Sequence, residues 1–193
     1  MNTELTQEQI KPFVMAAHGD LAAVQEILAA EPALLDACYE QFDERPIEAA
    51  GHTGSRDIAE FLLAKGAPLD IFVAAMLGRT DDVRAFLADD PSLASATGVH
   101  GISILYHVAM SGQVAIAELL KALGGGQHAG HALHGAVQFG HLEMVSWLLA
   151  NGADPNAPNW QKKTPLDAAL ARGHTAIADL LRQHGGQPAA DAQ

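Results

Sequence analysis

Cysteine is almost missing from this sequence. Cys38 is the single one among 193 residues, so no intrachain disulfide can form and no cage of thiolates can hold a metal. A reducing compartment fits that usage. Basic residues are scarce too: eleven lysines and arginines stand against 23 aspartates and glutamates, a formal charge of -12, which repels a phosphate backbone and an anionic bilayer alike. Neither nucleic acid nor membrane is expected as a partner. The deficit is lopsided, since residues 1–90 carry 17 acidic and 6 basic side chains while residues 91–193 carry 6 and 5. A cationic partner would be drawn to the N-terminal half. Long apolar runs are absent as well, with no stretch approaching the ~18 consecutive apolar residues of a membrane span. The opening MNTELTQEQIKPF has neither the basic flank nor the apolar run of a signal peptide. The soluble cytoplasm is the expected location.

The usual signatures of catalysis are missing. No G-x-S-x-G, H-E-x-x-H or Cys/His pairing occurs, and the acidic pairs Asp81-Asp82 and Asp89-Asp90 read as a solvated helix start and a loop. No enzyme activity and no cofactor are expected. The run GGGQHAG at 124–130 frees backbone N–H groups that could cradle an anion. It has no strand before it and no Lys-Ser/Thr after it, so a shortened connection is the stronger reading.

What the sequence does have is a repeat, which must be recognised before anything else is read. Gly140-His141 and Gly173-His174 lie 33 residues apart. Each glycine is followed by apolar residues at helical spacing: Met144, Val145, Leu148 and Leu149 after the first, Ile177, Ala178, Leu180 and Leu181 after the second. A shorter apolar segment precedes each glycine, LHGAVQFG in one case and PLDAALARG in the other, long enough for a two-turn helix. Pro165 suits a first helical position, where its missing N–H is no loss, and Thr164 can cap it. The helix-linking glycine recurs at Gly19, Gly54, Gly78, Gly112, Gly140 and Gly173. Six helix-turn-helix units follow, with helix pairs near 12–30, 46–64, 70–88, 103–122, 131–150 and 165–183.

The segments KTPLDAALARGHTAIADLLRQHG and GADPNA resemble the ankyrin consensus of TPLHxAA, GH, a VV/LL helix and GADVN. The likeness runs over roughly residues 11 to 185 and is closest in the last two units. The alanine-rich composition points to a stand-alone bacterial chain. The resemblance implies an all-α ankyrin-repeat solenoid in which each unit buries its apolar faces only by stacking on its neighbours. The expected division is an N-terminal cap segment at 1–10, a repeat domain at 11–186 and a flexible tail at 187–193. Thr6 and Gln9 have the spacing of a capping box.

In the family, the long connection between units forms a β-hairpin finger. Here successive glycines are 35, 24, 34, 28 and 33 residues apart, so some fingers should be short or missing. The resemblance also implies structural roles for three histidines: His134 as a brace to the hairpin backbone, His141 and His174 at the GH turn. His128, His131 and His134 are spaced three apart, as a zinc or nickel site on a helix could be. Splaying of His128 at the coil-to-helix boundary argues against it, and no metal is expected.

By the same resemblance a partner would bind the concave groove, lined by the pre-glycine residues and the finger tips. The candidate partner-binding residues are His52, Met76, Leu77, Met110, Gln138, Phe139, Trp160, Lys163 and Arg172. Four of them, Met76, Leu77, Met110 and Phe139, are apolar, which marks an interaction site if they face solvent. The competing reading is that short connections tilt the units and bury them. The expected function is protein–protein interaction by a monomeric chain. The alternatives are a histidine-cluster regulator that binds a metal or small molecule, and a substrate adaptor for an effector on another chain.

Overall fold

The computed structural model describes residues 5–189; the outer ends of the expected cap and tail, residues 1–4 and 190–193, lie outside the described residues. Twelve α-helices come in six pairs: α1 (Gln7–Ala17) with α2 (Leu21–Ala30), α3 (Pro46–Thr53) with α4 (Arg56–Ala64), α5 (Ile71–Leu77) with α6 (Thr80–Asp89), α7 (Ile104–Ser111) with α8 (Val114–Ala122), α9 (Ala129–Gln138) with α10 (Leu142–Ala150), and α11 (Pro165–Ala171) with α12 (Thr175–Gln183). The pairs fall where the glycine register puts them. The fold is the all-α solenoid that the repeat implies.

Local chemistry sets the boundaries. Thr164 caps α11 by accepting from the Asp167 N–H, and the Asp167 carboxylate returns the bond to the Thr164 N–H. Thr6 and Gln9 make the same reciprocal pair at α1, which starts the first helix at Gln7. Residues 7–10 form the first turn of α1, with Ile10 in the core of unit one. At the other end, the Gln187 N–H donates to Asn156 and its carbonyl accepts from Thr164, while the Ala189 N–H donates to Asp167.

The first helices of successive units pack side by side in chain order, and the second helices form an outer row behind them. Between the rows lies the apolar core, including Val83, Val108, Ile116, Leu120, Leu133, Met144, Leu148 and Ile177, all almost without solvent exposure. Fingers are vestigial. The connections after units one and three each close a single antiparallel bridge, Tyr39 with Glu44 and Thr97 with Ser103. Between units two and three there is no bridge. Asp70 directly caps α5 through the Val73 N–H, at 2.7 Å, so the chain has no length left for a hairpin.

His107 is the most deeply buried histidine among the described residues, with its Nδ1–H donating to the Ser103 carbonyl at 3.0 Å and its ring beside Phe72. Burial lowers its pKa to about 4, with the bond to Ser103 opposing and His52 adding repulsion. In the unfolded chain the imidazole titrates near its ordinary 6.5. The unfolded state thus binds more protons between these values, and His107's contribution to stability is lost as pH falls from about 6.5 to about 4. Urea unfolding at pH 7 and pH 4.5 should show a steeper acid loss for the native chain than for His107→Asn, by up to about 3 kcal/mol. Identical slopes would mean that the ring is solvated.

Candidate functional site

The concave face begins with the residues just ahead of each helix-linking glycine. Met76, Leu77 and Met110 stand there, and all three are buried, at 0%, 6% and 3% exposure. This corrects the expectation of a solvent-facing apolar groove at those positions. Two features account for it. Arg56 donates from its two terminal nitrogens to the Met76 and Leu77 carbonyls, at 2.8 and 2.9 Å, drawing unit two onto the end of α5. Phe139, from unit five, lays its half-buried ring on Gly54 of unit two. A side chain on Gly54 would run into the Phe139 Cζ. The two short connections curve the solenoid until its middle closes, and the pre-glycine side chains join the core of the N-terminal units.

Further along, the face is open. Two adjoining hollows, of about 430 and 710 Å³, share His134, Gln138, Asn159 and Trp160. The first runs back to His52 and Tyr106, the second on to Lys163 and Arg172. His52, Gln138, Trp160, Lys163 and Arg172 are thus brought to one continuous surface. Trp160, at the tip of the last connection, is 88% exposed. It lines one hollow with Lys163 and Arg172, and with Asp167 as the single acidic side chain there.

Three histidines of the later units hold the scaffold. The His134 Nε2–H reaches the Ala157 carbonyl at 2.8 Å, and the His141 Nε2–H reaches the Met110 carbonyl at 2.9 Å. His174 packs on Gly140. Since the His134 nitrogen is committed to Ala157, the trio with His128 and His131 does not converge on a common point. The glycine run is structural as well. The Gly124 and Gly125 N–H groups donate to the Lys121 and Leu120 carbonyls, closing α8. A Cβ on Gly125 would meet the Ala94 carbonyl oxygen. Neither amide is free for an anion.

One cluster has no counterpart in the sequence reading. Glu44, at the end of the first finger, is wholly buried. The His52 Nε2 hydrogen-bonds its Oε1 at 2.7 Å, while the His18 Nε2 stands 3.5 Å from Oε2 and the His100 Nε2 3.5 Å from Oε1. Burial pushes the carboxyl pKa up; the bond from His52 and the charge of the three imidazoles outweigh it, leaving the net value below the ordinary one. Oε2 has no hydrogen-bond partner. These residues lie 26, 8 and 48 positions apart along the chain, and no spacing motif could have joined them.

Comparison with known proteins matches residues 133–182 to the family described as ankyrin repeats (many copies). The rat protein named cyclin-dependent kinase 4 inhibitor B is 42% identical over 66 residues, 34% of this chain and 48% of that one. A putative ankyrin repeat-containing protein of Treponema pallidum is 32% identical over 66% of this chain and 45% of its own length. The ankyrin repeat and KH domain-containing protein mask-1 of Caenorhabditis elegans is 26% identical over 96% of this chain, which is 8% of that protein. The chain thus spans less than half the length of each.

Proposed function

Because the chain belongs to the ankyrin-repeat family, whose repeats are generally protein-binding modules, we propose that it recognises a protein segment on the open C-terminal half of its concave face. The observation that carries this reading is Trp160. A tryptophan with nine-tenths of its surface in water contributes nothing to the fold, yet it overhangs a hollow lined by Gln138, Lys163 and Arg172. Aromatic and arginine side chains supply most of the energy at protein interfaces. The basic rim favours a segment that offers an apolar side chain to Trp160 and carboxylates to Lys163 and Arg172. Met76, Leu77 and Met110 support the curvature of this surface from within and do not touch the partner. No catalytic domain is identified by the comparisons, and among the described residues no helix is long and apolar enough to cross a membrane.

Affinity capture from the native host tests the proposal, with three baits: the natural chain, Trp160→Ala and Glu26→Ala, the last on the exposed outer face of α2. Trp160→Ala should weaken the captured partner by about 2 kcal/mol, roughly 30-fold, and Glu26→Ala should leave it unchanged. Capture that survives Trp160→Ala but fails with the outer-face variant would place the interface elsewhere.

A further inference from the structure

The Glu44 cluster adjoins the partner surface, since His52 and His100 also line the first hollow, and its hydrogen-bonding leaves a gap. The His18 Nδ1 lies 2.9 Å from the Val14 carbonyl, and a carbonyl can only accept, so the proton sits on Nδ1. In the neutral ring Nε2 then carries a lone pair. That lone pair faces Glu44 Oε2, itself an acceptor with no partner and no solvent. Two lone pairs 3.5 Å apart in a buried site lack the cation that would lie between them. An imidazolium N–H donating to Oε2 would draw the pair to about 2.8 Å. By contrast, ligand atoms roughly 2.0–2.1 Å from a tetrahedral zinc stand about 3.3 Å from one another.

The surroundings fit an ion in the same way. One donor atom from each of His18, Glu44 and His52 lies within 4.8 Å of the others, and the three belong to separate elements: the end of α1, the first finger and α3. The bond from His18 to the Val14 carbonyl is the orienting contact that metal-binding imidazoles ordinarily make through their second nitrogen. His100 arrives from the connection between units three and four and stands just outside that grouping, its Nε2 3.5 Å from Oε1 and its ring 5.1 Å from that of His52 and 5.9 Å from Phe42. It reaches them because no finger stands between units two and three. To do so it takes a left-handed backbone, with φ at +58°, a conformation unfavourable for a residue with a Cβ. The turn closed by the Ile102 N–H on the Val99 carbonyl carries both His100 and Gly101 in this region, as Asp43 and Lys162 do in the first and last connections.

We propose that His18, Glu44 and His52, with His100 as the fourth donor, bind a divalent zinc ion that staples the first and third connections to the ends of α1 and α3. Three imidazole nitrogens and one carboxylate oxygen make a donor set suited to zinc. The carboxylate is ionised and the imidazoles neutral in the bound state, and the His52 Nε2–H that donates to Oε1 at 2.7 Å in the ion-free chain gives up its proton so that its lone pair can face the ion. The ion satisfies the buried Oε2. It also replaces the missing second finger as the link between units one, two and four. The site is remote in sequence from His128 and His131, which take no part.

Zinc titration of the chelator-treated full chain, in competition with a chromophoric indicator, should show one site. Cobalt(II) in its place should give the visible ligand-field bands of a tetrahedral complex. His18→Ala and His52→Ala should each weaken zinc more than ~100-fold, and His100→Ala by ~10-fold or more. His128→Ala/His131→Ala should bind as the natural chain does. Both His18 and His100 are partly exposed, so these variants keep the fold, checked by far-UV circular dichroism without metal. Thermal unfolding supplies a second readout: zinc should raise Tm for the natural chain and not for His18→Ala. The proposal is overturned if no zinc binds, or if binding persists in His18→Ala/His52→Ala, or if it disappears in His128→Ala/His131→Ala.

Discussion

Met76→Ala is expected to destabilise the chain by about 2–5 kcal/mol, the range for truncating a long side chain in a packed core. The residue has no exposed surface and sits between units two and three in the same cluster as Ala50, Val73 and Met110. Its removal leaves a cavity that neighbouring units cannot close without changing the curvature of the whole stack. Trp160→Ala, on a larger side chain, should shift the urea midpoint by no more than ~0.5 kcal/mol in stability. The contrast is the informative part, because both residues occupy positions that this type of repeat ordinarily presents to a partner. A loss below ~1 kcal/mol for Met76→Ala would mean that its side chain faces water and that the groove is open along its full length.

Gly54→Ala should be comparably damaging, by roughly 1–2 kcal/mol for the left-handed backbone and a further ~1–3 for the steric conflict. The glycine has φ of +77°, and the added methyl would meet the Phe139 ring well inside van der Waals distance. Double-mutant analysis separates the two costs. Phe139→Ala on the Gly54→Ala background should recover the steric part and leave the backbone part. If the two changes prove additive, the ring of unit five does not rest on unit two, and the tight curvature is wrong.

Much of the architecture was legible because the repeat is written in local chemistry. The glycines at 54, 78, 112, 140 and 173 all adopt positive φ at the end of a first helix, the one requirement that a side chain cannot easily meet. Thr164 with Asp167, and Thr6 with Gln9, cap helices through contacts three residues apart. Connection lengths foretold the missing second finger. The candidate site was legible in part: Gln138, Trp160, Lys163 and Arg172 lie on the open surface where the register places them. The burial of Met76, Leu77 and Met110 was foreseen only as one of two readings.

By itself the sequence determined the number of units, the place of each helix and the residues facing each turn, since all of these depend on groups a few positions apart. Only the tertiary structure decided whether the concave face is open or filled. That outcome depends on small tilts, set by short connections and by Arg56 on the α5 carbonyls, accumulating over three unit interfaces until Phe139 reaches Gly54. It also decided which histidines matter. His128, His131 and His134 are neighbours along the chain, yet His134 is bound to Ala157. His18, His52 and His100 are far apart in sequence and meet at one buried carboxylate, where the first and third connections reach the ends of α1 and α3.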